Sequence, residues 1–477
     1  MLQAFLKNSL IYTLGHVLTS GIAIFLLPIY TRYLSPAEYG VIDLFIVIAA
    51  IVNLTIALEI SQGIARYYQE AKNEKEKRKY TSSAFWFTIL IYSLFFFLTF
   101  FFSDTLTLWL LEDVSKKGLF LLAIFAIVTN GIFYFTRNQL RWQIQPKDSV
   151  ITSLVNVIMV ASITIYLLVL EELKVESIFI GQIIGNIAAS LVAIFYARKS
   201  YGFTFCISKF KKMVSYSMPL VLSGIGVFIA LYIDRIAIKD LLGLNELGIY
   251  GVGYRFAAVT FLVMAGFQQS LSPLVFKHYK ERKTPSDISK IFNIFTIFAL
   301  FVIAGAILFA KELVVLFTTE AYYSSASFIA ILVMAVFFSH MYIFTPGIGI
   351  AKKTKIISMI SISGAILNTI LNYTLIPVFG LSGAAYATLI SAVSTFFLYL
   401  ILSQKYYMIP YQAKPILFAF TIVLISSYGV MSIFDEIQFI SIIVKMVYLL
   451  LVAVTTSLLL IEKKHLQKIK LKIGKKY

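Results

Sequence analysis

Fourteen long apolar runs punctuate the chain, near residues 8–30, 41–66, 81–102, 118–140, 150–170, 177–197, 214–236, 247–271, 289–310, 325–349, 356–378, 382–404, 415–434 and 438–461. Each is long enough to cross a bilayer as a helix, since about 20 apolar residues rising about 1.5 Å each match a hydrocarbon core of roughly 30 Å. None shows the alternation of a transmembrane β-strand, and in lipid only helices and closed barrels satisfy the backbone. The pattern predicts an all-α polytopic membrane protein of about 14 transmembrane helices.

Composition agrees with the pattern: of 477 residues, 60% are hydrophobic and only 13% charged, against about 25% charged in an ordinary soluble domain. The first run is too long for a signal-peptide core and lacks an A-x-A-like cleavage site, so it is expected to stay as span one. Every loop is shorter than about twenty residues, too short to hold the soluble catalytic domain that a glycosyltransferase or glycan polymerase would want. Cys206 is the single cysteine, which excludes an intrachain disulfide.

Charge sets the orientation. Strict alternation from a cytoplasmic N-terminus puts Lys7, the loops near 67–80, 141–149, 198–213, 272–290, 350–355 and 405–414, and the tail on one side. Of 41 Lys and Arg, only Arg32, Lys116, Lys117, Lys174, Arg235, Lys239 and Lys311 fall opposite, while Arg66, Arg137, Arg255 and Lys445 lie inside spans. This positive-inside bias predicts a multi-pass protein of the cytoplasmic (inner) membrane with N- and C-termini cytoplasmic. The net charge of +18 is thereby explained without nucleic acid, and membrane lipids are the partners expected of the basic tail 462–477.

Two passages repeat. Leu34, Glu38 and Gly40 recur 208 residues later as Leu242, Glu246 and Gly248, followed in the same register by Ala49-Ala50, Leu54 and Ala57 against Ala257-Ala258, Leu262 and Ala265. Six spans separate the copies, so the halves are parallel repeats about an axis along the membrane normal, a transporter architecture. The expected organisation is an N-terminal lobe 1–210 (spans 1–6), a C-terminal lobe 211–405 (spans 7–12), two further spans over 406–461, and the tail.

The stretch KNSLIYTLGHVLTSGIAIFLLPIYTRYLSPAEYGVIDL, with the later SMPLVLSGIGVFIALYIDRIAI and GLSGAAYATLISAVS, resembles the polysaccharide transporters of the multidrug/oligosaccharidyl-lipid/polysaccharide exporter superfamily, the branch that includes oligosaccharide flippases. The resemblance implies a MATE-like V of two six-helix lobes plus two C-terminal helices, with a central cavity lined mainly by spans 1, 2, 7 and 8. It also implies a flippase that moves a polyprenyl-pyrophosphate-linked oligosaccharide outward for O-antigen, capsule or a related polymer. Its partners would be that lipid-linked substrate and the glycan polymerase or assembly proteins.

Ions inside a bilayer are costly and therefore functional candidates. Arg255 lies about 10 Å inside span eight, where its forked guanidinium suits a phosphate, a structural pair or snorkelling being the other reading, and Tyr250 and Tyr254 beside it could stack on sugar rings or simply pack. In span two Glu59, Gln62 and Arg66 are spaced i, i+3 and i+7 as one helical stripe, and Glu59 is a candidate for ion coupling. Arg32, Asp234 and Arg235 stand at the outer ends of spans one and seven, where interface anchoring is the simpler expectation and an outer gate the other; Asp43 reads as a boundary residue. Arg137 is an entry candidate, His16 a satisfied membrane histidine, and Lys445 has no assigned role.

No G-x-x-x-x-G-K-[ST], H-E-x-x-H, G-x-S-x-G or Cys/His metal spacing occurs. The expectation is a non-enzyme without cofactor or metal. A multidrug or organic-cation antiporter of the same superfamily remains the alternative, kept open by Glu59 and Asp43, and a membrane glycan polymerase or ligase the less favoured third.

Overall fold

The computed structural model describes residues 21–22, 25–68 and 70–460. Lys7, His16, most of the first run and the tail 462–477 lie outside the described residues. Among the described residues there is no strand, and eleven helices are long and apolar enough to cross a membrane. Two of the predicted runs, 356–378 and 382–404, fall in one of the eleven, and the 247–271 run lies in a further long helix, Leu244–His278.

The chain divides into two compact units, residues 1–248 and 249–477. Unit 1 contains α1 (Leu27–Tyr33), α2 (Pro36–Thr55), α3 (Ile60–Tyr68), α4 (Glu74–Phe101), α5 (Ser103–Leu111), α6 (Lys117–Trp142), α7 (Pro146–Val169), α8 (Val175–Tyr196) and α9 (Ile207–Leu242). α6 is central, packing on α4, α7 and α8, while α9 packs on α2, α3 and α4. Thus α9, expected to open the second lobe, sits in the first compact unit. Packing decides which helices cohere.

The L-S-P-x-E-Y-G turn has a local explanation. Ser35 caps α2 by accepting from Glu38 N (3.3 Å), Glu38 Oε2 accepts from Ser35 N (2.8 Å), and Pro36 occupies the first turn. Lys174 pairs with the same glutamate at 3.0 Å. Gly40 then lets α2 touch the start of α10 (Leu244–His278): a Cβ on Gly40 would collide with the Leu244 carbonyl, and one on Gly248 with the Pro36 carbonyl. Gly40 and Gly248 stand 208 residues apart, as Pro36 and Leu244 do, and each glycine meets the carbonyl of the other helix, so the contact is reciprocal.

Unit 2 contains the rest of α10, then α11 (Thr284–Phe317), α12 (Ala326–His340), α13 (Thr354–Tyr406), α14 (Ala413–Ile433) and α15 (Phe439–Leu460). α12 is its core, with ten consecutive buried residues from Phe328 to Phe337. α13 is two arms folded at Gly380, whose φ of 56° and ψ of −137° leave the helical region. Ser361 and Tyr399, 3.2 Å apart, stand across the fold from one another. α14 and α15 pack on α11 through Leu300, Ala304, Ala419, Val423, Val452 and Leu460.

Candidate functional site

Inside unit 1 an amide and phenol chain crosses between helices at mid-span. Tyr92 on α4 donates to Asn53 Oδ1 on α2 (2.7 Å), and Asn53 Nδ2 donates to Asn130 Oδ1 on α6 (3.0 Å). On the other side of α6, Asn186 donates to Thr129 Oγ1 (3.3 Å) and accepts from Asn156 (2.9 Å). Such polar groups stay in lipid only when paired with one another. Nothing in the sequence marks them, because single Asn and Tyr residues carry no charge signal.

The second span is broken rather than continuous. Leu58 and Glu59 both take left-handed φ, 51° and 48°, between α2 and α3, at a cost of roughly 1–2 kcal/mol per residue. The other left-handed non-glycine residues, Glu112, Ile144, Glu172 and Lys352, occur singly just beyond helix ends, where such a turn caps the helix. A consecutive pair inside a span is a different feature, and strain of this kind gathers at working sites. It also corrects the expected Glu59, Gln62, Arg66 stripe, since Glu59 is not on the helix that carries the other two.

Glu59 is half-buried beside Gln62, and its Oε2 is buried without a hydrogen-bond partner among the described residues. Arg66 is exposed and paired with Glu70 at 2.9 Å, so it does not join Glu59. Arg137 is half-buried on α6, its guanidinium over the rings of Phe133 (5.4 Å) and Tyr134 (6.0 Å).

At the opposite end, interface anchoring for Asp234 and Arg235, and a boundary place for Asp43, are corrected. Asp43, Asp234 and Arg235 are only 4%, 3% and 5% exposed, so they are neither boundary residues nor interface anchors. Arg235 Nε donates to Asp43 Oδ2 at 3.0 Å and Nη1 to Asp234 Oδ1 at 3.2 Å, joining α9 to α2. One guanidinium between two carboxylates satisfies ions that lipid could not. Arg32 is exposed at the end of α1. Lys239 of α9 also reaches Glu112 at 3.2 Å at this end.

In unit 2, Arg255 and Tyr254 are half-buried on α10. Tyr250 is fully buried and stacked on Phe328, ring centroids 5.6 Å apart, so it packs the core instead of offering a face to a sugar. Gly253 admits the same ring, its absent Cβ being where Phe328 lies. Farther along, Gln268 bonds the Tyr342 hydroxyl, and Tyr342 lies 5.9 Å from Tyr399. Lys445, which has no role legible in the sequence, is buried in an ion pair with Glu312.

A family profile described as "Polysaccharide biosynthesis protein" matches residues 5–277, more than half of the chain, and one described as "MatE" matches residues 219–374. A Shigella flexneri protein described as "Putative O-antigen transporter" is 23% identical over 399 residues, covering 80% of this chain and 94% of that protein. An uncharacterized membrane protein of Haemophilus influenzae is 22% identical over 287 residues, 58% of this chain and 67% of its own. Among solved structures, the lipid II flippase MurJ in an inward closed conformation aligns with a TM-score of 0.73 at 18% identity, over 94% of this chain and 98% of that one. An inward-facing multidrug resistance MATE family transporter of the MOP superfamily gives 0.65 at 13% identity, over 81% and 93%. At these identities the structures speak for the fold, which is the one expected from the sequence. By the profile that spans most of its described first unit and the start of the second, this chain belongs to the polysaccharide biosynthesis protein family.

Proposed function

We propose that the protein is a flippase that moves a polyprenyl-diphosphate-linked oligosaccharide across the cytoplasmic membrane for surface polysaccharide assembly. The match to the polysaccharide biosynthesis family over residues 5–277 carries this reading. The O-antigen description of the Shigella relative and the MurJ-like fold support it. The end bearing loops 67–80 and 141–149 is the cytoplasmic one, by the positive-inside bias of its lysines and arginines.

In this reading Arg255 is a phosphate ligand with Tyr254 beside it for sugar, and Gln62 is a separate substrate-binding candidate within unit 1. The Asp43–Arg235–Asp234 cluster, beside the Gly40–Gly248 contact, closes the outer end until substrate exchange opens it; Arg32 flanks that exit. Glu59, at the broken turn, is the group whose charge answers to the transport cycle, and Arg66 guards the cytoplasmic end of α3.

The test is a proteoliposome assay that scores quencher access to a fluorescent polyprenyl-diphosphate oligosaccharide. Movement above protein-free vesicles is expected, and Arg255→Ala is expected to slow it about tenfold, the worth of one charged hydrogen bond. The second reading, an organic-cation antiporter, is favoured by the MatE match and by the unpartnered Glu59 oxygen. Ethidium efflux that Glu59→Gln abolishes, with no lipid movement across several glycans, would replace the first reading with the second.

A further inference from the structure

α6 carries a second basic group beyond the Arg137 that its sequence singles out. Asn130, Tyr134, Arg137 and Arg141 are spaced i, i+4, i+7 and i+11, which puts them on one face of the helix over a rise of roughly 16 Å. The residues between them on the other faces, Phe133, Phe135, Thr136, Asn138, Gln139 and Leu140, are buried. At the inner end of the stripe Asn130 bonds Asn53 of α2. At the basic end of the stripe Arg141 is exposed beside the Trp142 ring (5.8 Å), and Trp142 donates to Ser61 of α3.

The stripe thus runs from the basic end of unit 1 to its mid-span polar chain. Among the described residues some cations of the unit have carboxylate partners, and others, such as Arg78 on the Tyr201 carbonyl and Arg198 over Phe195, do not. Arg235 lies between two aspartates, Arg66 is paired with Glu70, and Lys209 with Glu76. Arg137 and Arg141 have no carboxylate within 4.0 Å among the described residues; Arg141 has only Asn138 Oδ1 at 3.3 Å. They stand one turn apart on the same helix, a spacing at which like charges disfavour each other. The helix C-terminus and snorkelling explain Arg141, which reaches water. They do not explain Arg137, half-buried in a spanning helix and facing another cation.

We propose that this face is an entry track for the diphosphate of the lipid-linked substrate, with Arg141 and then Arg137 as its phosphate ligands. This rests on the flippase reading and adds the route by which the headgroup leaves the cytoplasmic interface. Two guanidinium forks offer parallel donors to two linked phosphates. The anion in turn supplies the counter-charge that the unit itself withholds from them. Tyr134 and Asn130, deeper on the same face, offer a ring and an amide to the sugars joined to the phosphates.

Farnesyl diphosphate tests the proposal, with farnesyl monophosphate and farnesol as comparisons, on the full chain in phosphatidylcholine nanodiscs. The diphosphate is expected to bind tightest, with Arg137→Gln and Arg141→Gln each weakening it about tenfold or more. Arg137→Lys should restore part of the loss, and Arg198→Gln, which removes a cation at the same end from beside Phe195, should leave it unchanged. If Arg137→Gln does not fold, the exposed Arg141→Gln carries the test with the lysine variant. Wild-type binding that both glutamine variants retain within about twofold overturns the track and leaves the flippase reading to its own transport assay. Displacement of the probe by added phosphatidylglycerol, dependent on Arg137, would reassign the face to bulk anionic lipid and also overturn it.

Discussion

At the residue scale the clearest statement concerns charge out of water. Arg235 with Asp43 and Asp234 is buried, and removing one member of such a group leaves an unmatched ion. Asp43→Ala is therefore expected to destabilise the protein by about 3–5 kcal/mol, read as a fall in unfolding midpoint in detergent. An Asp43→Leu, Arg235→Met double variant should be less destabilised than the sum of its singles, since the coupled ions leave together; strict additivity would argue that they do not interact. The sequence showed Asp234, Arg235 and Asp43 as ions near span ends, but not their burial. Positions 43 and 235 are 192 residues apart, and nothing local says that a carboxylate on α2 will meet a guanidinium on α9.

At the element scale, two devices shape the second span and its neighbours. The left-handed pair Leu58–Glu59 interrupts α2 and α3, and position 58 should resist β-branching because such side chains clash in that region. Leu58→Ile is expected to cost about 1–2 kcal/mol, whereas Leu58→Gly should recover about 1 kcal/mol of backbone strain against its lost side chain; melting of both variants distinguishes a strained turn from an ordinary helix. The Gly40–Gly248 contact predicts a second effect. Gly40→Val should hold the first turns of α2 and α10 apart and raise labelling of a Leu247→Cys reporter, fully buried in the native contact, by an impermeant maleimide, after Cys206→Ser. The sequence displayed both glycines as a repeat signature. It did not display the broken turn, because the apolar pattern of 41–66 runs through residues 58 and 59 without a glycine or proline to mark it.

At the scale of the whole molecule, α14 and α15, the spans beyond the repeat, are built into unit 2. Lys445 pairs with Glu312, Lys311 with Asp435 at 2.9 Å, and Asn293 donates to the Leu460 carbonyl at 3.2 Å, so α11 is held at points along its length. Lys445→Ala is expected to lower stability by about 3–5 kcal/mol and to speed hydrogen exchange in α15 more than in α7. Equal protection in both helices would mean that the pair does not anchor the appendage. By itself the amino-acid sequence determined the membrane class, the helical architecture and the family, because these derive from hydropathy and from the pattern of residues, which are properties of the chain in order. Only the tertiary structure decided which ions are paired. It buried Arg235 between aspartates, placed Lys445 on Glu312, packed Tyr250 into the core, broke the helix at Glu59 and left Arg137 beside Arg141. The reason is physical: the cost of a charge in lipid depends on what stands within a few ångströms of it, and that is set by packing between helices distant in sequence.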